Sequence, residues 1–292
     1  IYGTDVLQSH TNLKIVKGDI RDQKLLKEII KGHDIFIHLA CISNDPSFEL
    51  NPNLGKSINL NSFAPLVEIS RDQGVSRFIY ASSSSVYGIK EELNVHEDMT
   101  LEPLTDYSRF KAECEKILFQ YQSDDFTTIV IRPATVCGYS PRQRLDVVVN
   151  IFSNIAYHNR NIKVFGGRQL RPNIHIQDMV DAYKLLIEAP KEIVSRQIFN
   201  AGYENQSVLQ LAETVKEVIG DDVILNVVKT DDNRSYHISS QKIMEVLGFK
   251  TKYNIQDAVE DLKQAFESNM LPNSLNDEKY FNIKKMQLIN LE

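Results

Sequence analysis

The sequence predicts an α/β fold built on a doubly wound parallel sheet, with a smaller α+β region after it. Short apolar runs, typical of fully buried strands, alternate with stretches whose apolar residues recur at helical spacing. After Gly138 this alternation loosens, and shorter strand-like runs are mixed with helices. Sheets of this kind bind ligands at the carboxyl ends of their strands, so we expect the functional site there.

The predicted elements of the first half follow a regular order. A β-rich run, "NLKIVKGDI", ends at Gly18 and Asp19, and a helical pattern leads from it to the buried strand "DIFIHLA". Helices and strands then alternate in the stretches "NSFAPLVEISRDQG", "SRFIYASS", "DYSRFKAECEKILFQYQ" and "TTIVIRPATVCG".

The second half mixes helices with short strands. The first patterns predict a helix, two strands and an amphipathic helix in "LDVVVNIFSNIAYHN", "IKVFG", "RPNIHI" and "MVDAYKLLIEAP". A helix over Val208–Ile219 and a strand over Val223–Val228 follow, then the helices "SSQKIMEVLG" and "IQDAVEDLKQAFESN" and a polar tail. No linker-like stretch separates the halves, so we expect them to pack directly together.

Composition narrows the classes of function. The 292 residues suit one or two domains, and the net charge of -6 offers no basic field for nucleic acid or an anionic membrane. The apolar runs are shorter than the roughly 20 residues that span a bilayer. The cysteines Cys41, Cys114 and Cys137 lie far apart, as is typical of free thiols in a reducing cytoplasm. We therefore expect a cytoplasmic protein without nucleic-acid or membrane partners.

A serine run at 82–85 precedes a Tyr-x-x-x-Lys pair, Tyr107 and Lys111, on one face of a predicted helix. A free phenol has a pKa of about 10, and a nearby ammonium or a cationic nicotinamide favours the phenolate. Tyrosine then becomes a usable base toward an alcohol, and a serine could hold the same oxygen. Such a pair is also common on helix surfaces and serines often mark turns, but their order and placement favour a hydride-transfer site.

Eight stretches carry a resemblance to a known family: "GDIRD", "IHLAC", "INLNS", "YASSSSVYG", "YSRFK", "IRPATVCG", "RPNIHIQD" and "DDNRSYHIS". Their order resembles that of the extended short-chain dehydrogenases/reductases, the nucleotide-sugar epimerase/dehydratase family, from about Val16 to Gly248. The resemblance implies a Rossmann-type dinucleotide-binding domain at 1–140 and a substrate-binding region at 141–292, with about 171–203 returning to the first domain.

The resemblance implies a role for particular positions. The catalytic group would be Ser83, Tyr107 and Lys111, with Lys111 also holding the nicotinamide ribose. The cofactor would be NAD, with NADP as an alternative. Its expected contacts are Asp19, Ile20, Leu39, Ala40, Cys41, Tyr107, Lys111, Pro133 and Val136. Asp19 could equally be a helix cap, and Leu39 and Ala40 ordinary core residues.

Arginines are expected to bind the nucleotide sugar. Arg171 and Arg234 match positions that grip the diphosphate, a task that suits a planar and permanently charged fork. Arg142 and Arg144, together with Ser84, would lie near the sugar or its phosphates. For each arginine the alternative is a solvated surface charge. The histidines His38, His96 and His175 are expected to be packing or surface residues, and no spacing suggests a metal site.

The sequence also departs from the family pattern. No glycine-rich turn precedes Gly18, so we expect this chain to lack the family's opening βαβ-type stretch of roughly 30 residues, including the residue that distinguishes NAD from NADP. The 4,6-dehydratases carry an Asp-Glu pair where this chain has Ser84 and Ser85, so dehydration is disfavoured. Thr135 and Cys137 also replace common residues, which leaves the sugar open.

The resulting hypothesis is an NAD-dependent epimerase or dehydrogenase that oxidises a ring hydroxyl, at C4, of a nucleotide-activated sugar in surface-polysaccharide biosynthesis. The resemblance also implies a homodimer formed through the helix that bears Tyr107 and the helix before it. The alternative is a non-catalytic family member that binds dinucleotide and acts as a regulatory or partner-binding subunit.

Overall fold

A computed structural model describes residues 10–43, 45–230 and 235–289 of the chain. The helices are α1 (Gln23–Ile30), α2 (Asp45–Glu49), α3 (Pro52–Lys56), α4 (Phe63–Asp72), α5 (Asp106–Gln120), α6 (Val148–Asn159), α7 (Ile176–Glu188), α8 (Lys191–Val194), α9 (Val208–Ile219), α10 (Gln241–Leu247), α11 (Ile255–Glu267) and α12 (Asn282–Ile289). The strands are β1 (Ile35–His38), β2 (Arg77–Ala81), β3 (Thr127–Pro133), β4 (Thr135–Cys137), β5 (Asn161–Phe165), β6 (Leu170–His175), β7 (Gln197–Ala201), β8 (Glu204–Ser207) and β9 (Ile224–Val228).

A parallel sheet in the order β1-β2-β3-β7 forms the centre of the first half, and its last strand, β7, comes from the second half of the chain. One face packs against α1, α4 and α5 through residues such as Phe63, Phe78 and Leu118, and the other against α7 through Ile129 and Ala182. With helices on both faces, β2 and β3 are buried, which explains their continuous apolar runs. The predicted doubly wound, Rossmann-type sheet is confirmed.

The β-rich run at 12–20 does not join this sheet. It forms no strand, because none of the strands in the described part of the chain pairs with it. Its apolar side chains Leu13, Ile15 and Val16 are exposed. A strand needs a hydrogen-bonding neighbour as well as a suitable composition, so the expectation of a strand here was wrong.

The second half is an α+β layer built on two small sheets. In one, β6 pairs parallel with β4 and antiparallel with β8; in the other, β5 and β9 are parallel. The helices α6, α9 and α11 cover them with one apolar core. Capping boxes at Ser207 and Asn254 fix the starts of α9 and α11, so their apolar faces point into that core. Within the described residues, no helix is long and apolar enough to cross a membrane.

The polar tail is more ordered than its composition suggests. After α11, a turn of 3-10 helix at Glu278–Tyr280 leads into α12. Leu271 and Tyr280 are buried with Leu145, and Met286 is buried beside Ile42. The tail therefore folds back onto the loop after β4 and onto the segment after β1.

Candidate active site

A cavity of about 590 Å³ opens at the carboxyl ends of β2 and β3, between the sheet and the second half. This is the edge at which a parallel sheet is expected to bind ligands. It brings together many of the predicted residues, namely Ser83, Ser84, Tyr107, Pro133, Val136, Arg142, Arg144 and Arg171. It also includes Tyr236, which sequence reasoning missed.

Tyr107 lies in the first turn of α5, where the start of the helix is firmly held. Thr105 caps the helix by accepting from the backbone N–H of Ser108, and its own hydroxyl donates to Asp45 Oδ1 at 2.6 Å. Lys111, one turn further on, is only 4 % exposed, and its ammonium lies 5.9 Å from the Tyr107 ring centroid. Lys111 Nζ also donates to the Ala81 carbonyl at 2.6 Å, which fixes it beneath the site.

The pKa of Tyr107 lies above that of a free phenol, although a neighbouring ammonium would lower it. Burial raises the pKa of this phenol well above its usual value, and the neighbouring Cys41 and Asp45 raise it further. The Arg144 charge and a hydrogen bond with Ser83 act in the opposite direction without overcoming burial. A lowered pKa was expected from Lys111, but spacing along a helix gives no measure of desolvation.

Ser83 follows β2 and begins a short 3-10 turn. Its hydroxyl accepts from the Ser85 backbone N–H at 3.2 Å and lies 2.9 Å from the Ser85 hydroxyl. The turn ends at Gly88, which has φ of 69° and whose Cβ, if present, would lie 2.0 Å from the Glu102 carbonyl oxygen. Only glycine fits there, so the residues from Ser83 to Gly88 form one fixed turn.

A buried ion pair supports the strand ends beneath Ser83. Arg132 on β3 and Glu115 on α5 are joined at 2.7 Å and 3.0 Å, and both are almost completely buried. The Ser82 hydroxyl donates to the same carboxylate, and Arg132 donates to the Tyr87 hydroxyl at 2.7 Å. Sequence reasoning missed this network, although a charged residue inside an otherwise apolar strand was a visible signal for it.

Asn59 has a structural role. It lies in a turn of π-helix, Ser57–Asn61, and its amide binds both the N–H and the carbonyl of Ile42, at 2.8 Å and 2.9 Å. The backbone carbonyl of Asn59 accepts a hydrogen bond from the Cys114 thiol. These bonds hold the segment that follows β1 against α5.

Of the expected cofactor residues, Tyr107, Pro133 and Val136 line the cavity, whereas Asp19, Ile20, Leu39, Ala40, Cys41 and Lys111 do not. Leu39 is 59 % exposed at the carboxyl end of β1, Ala40 is exposed beside it, and Cys41 is partly buried. An exposed leucine at a strand end offers an apolar surface to the ribose and ring of a dinucleotide. Asp19 instead binds Arg21 at 2.6 Å, which lowers the pKa of its carboxyl, and Ile20 next to it is partly buried.

The arginines of the cavity are held by specific partners. Arg171 donates to the Leu170 carbonyl at 2.9 Å, and its guanidinium lies 5.6 Å from the Tyr236 ring centroid. Arg144 donates through Nε to Asp146 at 2.5 Å. Its Nη2 is buried and has no hydrogen-bond partner among the residues that the structure describes. Arg234 lies outside the described residues.

The histidines have packing or surface roles. His38 stacks on Tyr80 with ring centroids 5.7 Å apart, and burial, followed by the Lys111 charge, lowers its pKa to about 3. His175 lies 3.1 Å from Asp261, and His96 is exposed. In the described ranges, no three His, Cys, Asp or Glu side chains gather at metal-binding distance.

Several known proteins are similar to this chain in sequence or in fold. Residues 2–202 match the model of the NAD dependent epimerase/dehydratase family. UDP-glucose 4-epimerase of Lactobacillus helveticus is 26 % identical over 84 % of this chain and 81 % of its own. Low-salt glycan biosynthesis protein Agl12 of Haloferax volcanii is 24 % identical over 86 % and 81 %. The structure of DesIV, a dTDP-glucose 4,6-dehydratase from Streptomyces venezuelae with NAD and TYD bound, has a TM-score of 0.81 at 21 % identity, over 91 % of this chain and 84 % of that one.

Proposed function

Because the chain belongs to the NAD-dependent epimerase/dehydratase family, we propose that it is an NAD-dependent epimerase or dehydrogenase that oxidises a ring hydroxyl, at C4, of a nucleotide-activated sugar. One observation carries this proposal. Ser83 and Tyr107 line one cavity at the carboxyl edge of the parallel sheet, with the Lys111 ammonium 5.9 Å from the Tyr107 ring centroid. Such a set can remove a proton from an alcohol while the adjacent carbon loses hydride.

The residues fit NAD, which accepts the hydride when bound. Lys111 and the exposed end of β1 at Leu39 would hold the nicotinamide ribose and neighbouring groups, and the NAD-bound DesIV structure supports this choice of cofactor. Tyr107 would take the hydroxyl proton and Ser83 would orient the same oxygen. Burial opposes the phenolate, so the charges of Lys111, Arg144 and the bound nicotinamide, together with the Ser83 hydrogen bond, would be needed to stabilise it.

The cavity arginines support a nucleotide diphosphate as part of the substrate. Arg142, Arg144 and Arg171 line the cavity, and a fork of fixed donors suits phosphate oxygens. The buried Nη2 of Arg144 would gain an acceptor from a substrate oxygen, which removes the cost of an unsatisfied donor. The relatives named for UDP-glucose and dTDP-glucose act on sugars of this class. Arg234 remains a proposed diphosphate contact.

We disfavour dehydration only because of the residues that this chain has at two positions, Ser84 and Ser85. The family includes dehydratases and DesIV is one of them, so the similarities give no ground for disfavouring that reaction. At the positions expected to provide acid and base, however, this chain has Ser84 and Ser85, whose hydroxyls do not readily exchange protons at neutral pH. The Ser85 hydroxyl is already within 2.9 Å of that of Ser83. We therefore favour oxidation without loss of water.

The proposed setting is the synthesis of surface polysaccharides in the cytoplasm by a homodimer paired through α4 and α5. The relative Agl12, which is named for glycan biosynthesis, supports this setting.

The proposal is tested by incubating the purified chain with NAD or NADP and a panel of UDP-, dTDP- and GDP-sugars. Reduced cofactor is followed by absorbance and products by mass spectrometry and NMR. We expect Tyr107→Phe to lower kcat by roughly 100-fold or more, because it removes the base. Tyr203→Phe, at an exposed tyrosine outside the cavity, is the matched control. No turnover of any sugar, or a normal rate in Tyr107→Phe, would overturn the proposal.

A further inference from the structure

The C-terminal segment, residues 271–289, contributes a buried side-chain amide to the loop at 140–147, which lines the cavity. We propose that Asn282, the first residue of α12, is a positioning residue that fixes Arg142 and Arg144 for the nucleotide sugar, an inference that rests on the proposed function. Asn282 is 2 % exposed, and it stands almost 140 positions from the loop that it contacts.

The backbone N–H and both polar atoms of the Asn282 side chain form hydrogen bonds in this region. Its backbone N–H donates to Asp146 Oδ2 at 2.8 Å, and its side-chain Nδ2 donates to the Ser43 hydroxyl at 3.0 Å. Its Oδ1 accepts from Arg142 Nη2 at 3.1 Å. A neutral amide suits this position because it offers an acceptor to the guanidinium and a donor to the hydroxyl at once.

The same partners hold Arg144. Asp146 accepts from Arg144 Nε with its other oxygen, at 2.5 Å, and Ser43 accepts from Arg144 Nη1 at 3.4 Å. The Asp146 carboxylate is itself fixed by the first N–H of α12, where the helix dipole favours a negative charge. Because a guanidinium is planar, fixing Nε and Nη1 also fixes the direction of Nη2. Asn282 thus acts on Arg144 through Ser43 and Asp146.

Apolar packing holds α12 in register with the loop. The Leu145 N–H donates to the Tyr280 carbonyl at 2.8 Å, and both side chains are buried in one cluster. Met286, one turn beyond Asn282, is buried against Ile42 and Phe48, a cluster onto which Tyr107 also packs. The C-terminal segment therefore joins the loop at 140–147 to the segment after β1, against which the proposed base Tyr107 packs.

The test compares Asn282→Ala and Asn282→Asp with Gln287→Ala, a change at an exposed residue of the same helix. Hydrogen exchange of residues 140–147 is measured first, without ligand, and then kcat and the KM values for nucleotide sugar and NAD. In Asn282→Ala we expect faster exchange of 140–147 and a rise of about tenfold in KM for the sugar, because a hydrogen bond to a charged group is lost. The KM for NAD should stay within about twofold.

Asn282→Asp keeps the acceptor for Arg142 and loses the donor to Ser43, so it should restore part of the affinity for the sugar. Unchanged exchange of 140–147 in Asn282→Ala overturns the inference whether or not the wild type is active. So does an equal rise in both KM values, which would indicate a general structural role. If the wild type turns over no nucleotide sugar, the proposed function fails, and the exchange measurement still decides whether Asn282 positions the loop.

Discussion

Replacing Glu115 by alanine should destabilise the protein by about 3–5 kcal/mol, because it breaks a buried ion pair and leaves one charge behind. Arg132 is 2 % exposed and would retain only the Tyr87 hydroxyl and the Glu97 carbonyl as hydrogen-bond partners among those described. Burial by itself would lower the pKa of Arg132, but its bonds with Glu115 raise that pKa, and an arginine does not lose its proton in any case. The buried Arg132 charge left by this change therefore cannot be removed by loss of a proton.

The assay is urea unfolding followed by circular dichroism. A matched control is Asp72→Ala, which breaks the exposed pair with Arg71 and should change the free energy of unfolding by less than about 1 kcal/mol. A double variant, Glu115→Leu with Arg132→Met, replaces both charges by apolar groups and should be more stable than Glu115→Ala alone. A loss below about 1 kcal/mol in Glu115→Ala, or a double variant less stable than it, would refute the reasoning.

Two further changes probe the site itself. Arg144→Gln should shift the rising limb of the pH profile of kcat/KM to higher pH. The Arg144 charge lowers the pKa of Tyr107, so its loss makes the phenolate harder to form. A profile that stays in place or moves to lower pH contradicts this. Asn59→Ala should lower the free energy of unfolding by about 1–3 kcal/mol and speed hydrogen exchange at the Ile42 amide, which loses its acceptor. Unchanged protection of that amide would show that Asn59 does not hold the segment after β1.

The local parts of this molecule could be predicted from its sequence. Helices such as α9, with a cap at Ser207 and apolar residues at helical spacing, carry their signal within a few residues. The pair of Tyr107 and Lys111 is of the same kind, since one turn of helix is enough to bring both side chains to one face. Residue order alone therefore predicted the sheet, most helices and the proposed reacting group.

The remaining parts depend on contacts between distant segments. The run at 12–20 has the composition of a strand but no pairing partner in the described chain, and composition alone cannot show that. The pKa of Tyr107 also depends on burial by several elements, which helical spacing alone cannot show. Asn282 contacts Ser43 and Arg142, and nothing in the polar sequence around it indicates either partner.

The groups proposed for the chemical step and those proposed to bind the sugar depend on different parts of the chain. Ser83, Tyr107 and Lys111 are held by neighbouring turns and by the buried pair beneath β2 and β3, so the groups proposed for proton and hydride transfer depend on a short part of the chain. Two of the cavity arginines, Arg142 and Arg144, are instead held by contacts that depend on α12, near the opposite end of the sequence. Changes in the C-terminal segment should thus alter which nucleotide sugar is bound and how tightly, while leaving the chemical step itself largely intact.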